Sequence, residues 1–300
     1  MNLIEPSIYR NQAAVAAIVA ASTRGRSIGA ILVDSGRLSA EQAERILSLQ
    51  KEHGQRFGDV AVELGLLDED DIRFALASQF DYPYLQAGDD SLSDELVAAY
   101  QPFSPVVEQL RALRSQLMLR WFDAEAERKA LAIVSPGSGE GRSFVAANLA
   151  IVFSQLGERT LLIDADLRRP RQHQLFKLGN HAGLSEMLVG RNGAETVVRV
   201  PSLLGLSLLP AGAVPPNPQE LLGRPAFAER LQSLGRDFDV VIIDTPAAGE
   251  CADAQTIAVR AGAALMLARK NRSSLPDVAQ LASGFQQAGT ALVGSVLNDA

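Results

Sequence analysis

The most restrictive feature of the sequence is a run in which the apolar pentapeptide Ala130 to Val134 meets Ser135-Pro-Gly-Ser-Gly-Glu-Gly-Arg-Ser143, followed by an apolar stretch from Phe144 to Leu156. This order predicts a buried strand, a glycine loop and a helix. Such a loop gathers consecutive backbone N–H groups and a helix N-terminus around one point, where phosphate oxygens are stabilised. Gly137, Gly139 and Gly141 would permit close approach, with Ser138 and Glu140 between them, and Ser143 is placed to ligate Mg²⁺. The residue before that serine ordinarily supplies positive charge to terminal phosphates. Here it is Arg142, which keeps the charge in a larger, planar group.

Two more strands carry acids at their ends. Thr160 to Arg168 (TLLIDADLR) places Asp164 and Asp166 past four apolar or β-branched residues, and Asp239 to Pro246 (DVVIIDTP) places Asp244 likewise. Carboxylates at the C-terminal ends of parallel strands sit in the crevice where open α/β sheets bind ligands. Buried acids need a partner, and Mg²⁺ with ATP would provide one.

With 300 residues, 47% hydrophobic and 21% charged, the chain is expected to form two domains rather than a disordered segment. The formal charge of −7 argues against nucleic acid as a partner. One cysteine, Cys251, excludes a disulfide framework, and His53, His173 and His181 show no metal-ligand spacing. The apolar run Ala13 to Ala21 is short of the roughly 20 residues that cross a bilayer, and a cytoplasmic location is the expectation.

The first third contains a repeat. Ser27 to Gln50 aligns without gaps on Arg56 to Gln79 at an offset of 29 residues, matching Gly29 with Gly58, Gly36 with Gly65 and Leu38 with Leu67. Each copy reads as a short amphipathic helix, a glycine stop, and a second helix opened by Ser39 or Asp68. The assignment is a segment 1–25, a helical repeat domain 26–86, a linker 87–105 marked by Pro102 and Pro105, and an α/β domain 106–300. That last domain opens with a helix, Val106 to Trp121, in which Glu108, Arg111 and Arg114 fall three apart on one stripe.

The paired units resemble the N-terminal domain of type II secretion and pilus ATPases, some of which bind cyclic di-GMP. The resemblance implies contacts from Arg26, Gly29, Arg56 and Gly58, although the first copy has Ser27 where the pattern has arginine. From about Val106 onward, SPGSGEGRS, LLIDADLR, PPNPQELL and VVIIDTP resemble the Walker A, Walker A′, intervening and Walker B segments of bacterial tyrosine kinases. This implies a P-loop NTPase fold of the deviant Walker type, a parallel sheet with helices on both faces, preceded by the small helical repeat domain.

It further implies transfer of phosphate from ATP to protein tyrosine in the control of exopolysaccharide chain length and export. Asp164 would be the catalytic base, aided by Arg142 in the loop. Asp166 and Asp244 would position Mg²⁺ with Ser143, and Asn298 would meet the adenine. Glu108, Arg111 and Arg114 would contact a neighbouring subunit of a homo-oligomer. An inner-membrane chain-length-determinant protein would be the partner, holding the chain at the membrane periphery.

Family members carry acceptor tyrosines in a C-terminal tail, whereas the tyrosines of this sequence are Tyr9, Tyr82, Tyr84 and Tyr100. The acceptors are therefore expected at Tyr82 and Tyr84 or in another protein. Partitioning-type ATPases share both aspartate motifs but carry a second lysine where this chain has Gly137. A third reading is a non-catalytic ATP and cyclic di-GMP sensor, which follows if Arg142 abolishes turnover.

Overall fold

The computed structural model describes residues 27–79, 84–85, 88–122, 128–191 and 193–299. The chain divides into two compact units, residues 1–83 and 84–300. Arg26 and Tyr82 lie outside the described residues.

The first unit holds four helices: α1 (Ile28–Asp34), α2 (Ala40–His53), α3 (Phe57–Glu63) and α4 (Glu69–Gln79). Its core is Ile31, Leu32, Leu38, Ile46, Phe57, Val60 and Leu67, the apolar positions the two copies share. Ser39 closes a reciprocal capping box with Gln42 at the start of α2, and the Asp68 carboxylate accepts from Asp71 N–H at the start of α4. The repeat's glycines have a packing reason. A Cβ at Gly29 would stand 3.2 Å from the Phe57 ring, and one at Gly58 would stand 3.1 Å from Ile72. Ser27, at the position where the secretion-ATPase pattern has arginine, caps α1 by accepting from Ala30 N–H.

In the second unit a short helix, α5 (Val97–Tyr100), precedes α6 (Pro105–Arg120), in which Pro105 occupies the first turn where no N–H is needed. Strand β1 (Ala130–Val134) leads through the glycine loop into α7 (Arg142–Gln155) and β2 (Thr160–Asp164). Short helices α8 (Gln172–Leu175) and α9 (Leu184–Leu188) follow, then β3 (Val198–Arg199) and β4 (Leu206–Leu209). The chain continues through α10 (Pro218–Gly223), α11 (Pro225–Asp237), β5 (Val240–Asp244), α12 (Asp253–Ala261), β6 (Ala263–Arg269), α13 (Leu275–Gln287) and β7 (Ala291–Asn298).

The seven strands lie in the order β3-β4-β2-β5-β1-β6-β7, all parallel except the antiparallel β3. The central strands are apolar up to their terminal aspartates because both faces are covered. Leu131, Ile133, Leu162 and Ile242 pack under α6 and α7, while Ala132, Val134, Leu161, Ile163 and Ile243 face the core on the other side with Leu221, Phe227, Ile257 and Phe285. This is the expected α/β sheet. The chain order reverses around β1, so the glycine loop opens at the sheet's switch point.

The stretch expected to be a linker packs onto the second unit from residue 88 onward. Leu92, Leu96, Ala98 and Ala99 are buried in the same core as α7, and Leu85 joins them. Buried Asn148 on α7 accepts from Ala98 N–H at 2.9 Å and donates to Glu95 O at 3.0 Å, while Gln155 donates to Ala98 O at 2.9 Å. Proline and polar residues suggested a tether because they interrupt helical periodicity. The segment nevertheless supplies an irregular apolar layer whose backbone is satisfied by side chains of α7. Substituting Leu96 by Ala, which empties a fully buried position, should lower the unfolding free energy by about 3 kcal/mol in urea titrations. A loose tether would show almost no change.

Candidate nucleotide site

The loop between β1 and α7 is held open by its neighbours. Gly141 caps α7 at φ +98°, and a Cβ there would fall 2.5 Å from Asn298 Nδ2. Three loop carbonyls are engaged: Gly137 O by Arg142 Nη1, Gly139 O by Arg269 Nη1 at 2.9 Å, and Glu140 O by Asn298 Nδ2 at 3.1 Å. In a planar trans peptide the next N–H points opposite to the carbonyl, so the amides of Ser138, Glu140 and Gly141 face away from these donors. The Glu140 carboxylate, only 2% exposed, folds back to accept from Gly137 N–H at 2.7 Å and also pairs with the Ser273 hydroxyl.

Arg142 turns Nε and Nη1 inward. Its guanidinium is buried, donating from Nε to Thr245 O at 2.9 Å and from Nη1 to the Ser135 hydroxyl and Gly137 O. The planar fork finds acceptors inside the loop and at the end of β5, so Arg142 braces β1 and β5 around the loop. Asn298, expected at an adenine edge, likewise has its amide donor turned to the loop.

The three aspartates lie at the ends of neighbouring strands. Asp164 and Asp244 are in register across β2 and β5 and are both fully buried. Asp164 Oδ2 accepts from the N–H groups of Arg171 and Gln172, each at 2.9 Å. Asp244 Oδ2 accepts from Gln172 Nε2 at 2.7 Å, and the nearby Ser143 hydroxyl favours its charged form. The Oδ1 atoms of both aspartates are buried without a partner among the described residues. Burial first, and then the Asp244 charge, pushes the Asp164 carboxyl well above its ordinary range; burial pushes Asp244 up to about 6. Asp166 is partly exposed and caps the following turn, accepting from Arg168 and Arg169 N–H.

A cavity of about 180 Å³ lies between Gly141–Phe144 of the loop, Asp166 and its arginines, and Ala247. Each of those arginines is tied to an acid: Arg168 to buried Asp253 at 2.8 Å, Arg169 to Glu250 at 3.2 Å, and Arg171 to Glu95 at 2.6 Å. A second, larger cleft of about 1010 Å³ runs from the loop to α13. No group of three or more His, Cys, Asp or Glu side chains able to hold a metal occurs among the described residues. Mg²⁺, however, is commonly held by one or two carboxylates together with substrate phosphates, and two bare buried carboxylate oxygens beside a serine hydroxyl fit that requirement.

Other expected residues are placed elsewhere. Glu108 and Arg111 pair on the surface of α6 at 3.0 Å, but Arg114 turns inward to donate to Val152 O at 2.7 Å and so leaves the exposed stripe. Tyr84 sets its ring edge-on against Phe103, with centroids 6.1 Å apart. Arg56 is exposed at the start of α3. Gln172, Glu95 and Asp253 were not legible as site residues: each acts through a contact across at least 70 residues of chain, and no local spacing announces it.

The buried pair gives the metal-free protein a defined pH dependence. A carboxyl whose folded value is raised favours the folded state when protonated. That contribution is complete below the ordinary aspartate value of 3.8 and is lost as pH rises through about 6 for Asp244. For Asp244 it is on the order of 3 kcal/mol. In EDTA, Tm should therefore fall as pH rises between these values, and Asp244→Asn should flatten the profile and raise Tm at pH 7. An unchanged slope in the variant would contradict the assignment.

Residues 131–298 match the CobQ/CobB/MinD/ParA nucleotide binding domain family. CapB of Staphylococcus aureus, described as a tyrosine-protein kinase, is 36% identical over 200 residues, covering 66% of this chain and 86% of CapB. The tyrosine-protein kinase Wzc of Salmonella typhimurium is 36% identical over 204 residues, 68% of this chain but 28% of Wzc. Among solved structures, the kinase domain of the Escherichia coli tyrosine kinase ETK superposes with a TM-score of 0.64 at 34% identity, covering 68% of this chain and 80% of that one. With this sheet order, this loop and three converging aspartates, the chain belongs to the bacterial tyrosine-kinase family built on the CobQ/CobB/MinD/ParA nucleotide-binding domain.

Proposed function

We propose that the protein is an ATP-dependent protein-tyrosine kinase acting in exopolysaccharide export. The observation that carries this reading is the pair of buried carboxylates, Asp164 and Asp244, each with an unpartnered Oδ1 beside the phosphate loop and Ser143. Phosphoryl transfer asks a protein mainly for positioning and neutralisation of oxygen charge. The amides of Ser138, Glu140 and Gly141 and the N-terminus of α7 would receive the phosphates. Mg²⁺, when bound, would neutralise phosphate charge, and Ser143, Asp244 and Asp166 are the residues that would hold it and its waters.

Asp164 would take the proton of the acceptor hydroxyl at Oδ1. Its Oδ2 is held by two backbone amides, which leaves Oδ1 as the oxygen for that proton. Asp166 lines the mouth through which a tyrosine would enter. Gln172 holds both carboxylates by their Oδ2 atoms, with its backbone N–H on Asp164 and its side-chain amide on Asp244.

The acceptor would be Tyr82 or Tyr84, or a tyrosine of another protein; Tyr100 is engaged at both the N–H and the carbonyl of Leu92, and Tyr84 packs on Phe103. A chain-length-determinant membrane protein would supply the docking site. Among the described residues no helix is long and apolar enough to cross a membrane. Contact with a neighbouring subunit would use the outer face of α6. There Glu108 and Arg111 are joined by Leu119, which is 83% exposed and returns to the same face after eleven residues.

The test is incubation with Mg²⁺ and γ-labelled ATP, with and without a partner's cytoplasmic segment, followed by phosphopeptide mapping. Label on tyrosine that falls at least a hundredfold in Asp164→Asn establishes the kinase. ATP bound without transfer or hydrolysis under every condition would instead select the sensor.

A further inference from the structure

The nucleotide reading leaves a charge unaccounted for. Glu140 lies within the loop, Asp164 and Asp244 end neighbouring strands with Asp166 just beyond, and a polyphosphate would add more negative charge. The cation expected to answer it, Arg142, turns two of its three guanidinium nitrogens inward, Nε to Thr245 O and Nη1 to the Ser135 hydroxyl and Gly137 O. The other arginines near the loop are committed too: Arg168 to Asp253, Arg169 to Glu250, Arg171 to Glu95 and Arg269 to Gly139 O.

Arg272 is different. It is exposed, and its guanidinium makes no hydrogen bond or ion pair among the described residues. Nη1, Nη2 and Cζ stand 3.1, 3.1 and 3.2 Å from the point where a Cβ of Gly139 would lie. Near-equal distances to all three atoms mean that the group lays its flat face on the loop, leaving its edge of N–H donors unused. A side chain at Gly139 would displace it, and φ of +71° already disfavours one there.

The placement is built, not incidental. Arg272 sits on the turn after β6, and that turn is tied to the loop twice, by Arg269 to Gly139 O and by the Ser273 hydroxyl to the Glu140 carboxylate. The Ser273 hydroxyl also accepts from Arg269 N–H at 2.7 Å, and Asn271 turns the chain through the left-handed region at φ +59°. Ser138 of the loop and Arg272 line the same cleft.

We propose that Arg272 is the cation this site offers to the phosphate chain of a bound nucleotide, in the role that the inward-turned Arg142 does not fill. The assignment rests on the nucleotide reading above. A guanidinium presents several N–H donors in a fixed fork, matched to phosphate oxygens, and one lying against the loop needs only to swing its edge inward. Exposure makes the substitution tolerable to the fold, which keeps the test clean.

Calorimetric titration of the full chain with ATP and with ADP, in Mg²⁺ and at several salt concentrations, decides it. Arg272→Ala should weaken both nucleotides about tenfold at low salt and make affinity less dependent on salt than in the wild type, while Arg272→Lys should recover part of the loss. Unchanged affinity in Arg272→Ala, or a loss that leaves the salt dependence as it was, would overturn the proposal. A wild-type protein that binds neither nucleotide would instead overturn the nucleotide reading on which it stands.

Discussion

Two carboxylates placed side by side at the ends of neighbouring buried strands are the constraint around which the second unit is arranged. Asp164 and Asp244 are in register across β2 and β5, and neither has any solvent to share its charge. Taking one carboxylate out of water is costly and two together more so, which is why both are pushed toward their protonated forms in the absence of a cation. Gln172 relieves part of the strain by donating from its backbone to one and from its side chain to the other, and it also reaches Ser143 O at 3.1 Å. The loop, α7 and both strands thus share one hydrogen-bonded centre.

That centre is reached from an unexpected direction. Arg171 gives its N–H to Asp164 and its side chain to Glu95, and the Glu95 carbonyl is held by Asn148 of α7. Residues before the sheet therefore hold the turn that carries the amides facing Asp164. The ion pair is half-exposed and by itself contributes little. Its value is geometric, because the segment beneath it is anchored by Leu92, Leu96 and Ala99 in the main core.

Much of this was legible because it is local. An apolar strand, a glycine loop and a helix follow from composition and spacing, and the acids after β2 and β5 mark strand ends by the change from apolar to charged. The repeat's glycines were visible as a pattern, but their immediate reason, close approach to Phe57 and Ile72, depends on how the helices pack. Arg114 shared a stripe with Glu108 and Arg111 in the sequence. It left that stripe because a long side chain reached an open carbonyl at the end of α7, a partner 38 residues away.

The order of elements, the position of the phosphate loop and the three aspartates near the strand ends are each written in a run of a few residues. Tertiary structure decided which charges are spent and which remain available. Arg142 turns inward because Thr245 O and the loop's own acceptors lie within reach once β1 and β5 are paired. Arg272 stays open because the turn after β6 carries it over Gly139, where it forms no ion pair among the described residues. No rule of spacing could separate these arginines, because what distinguishes them is the set of acceptors that folding brings to each.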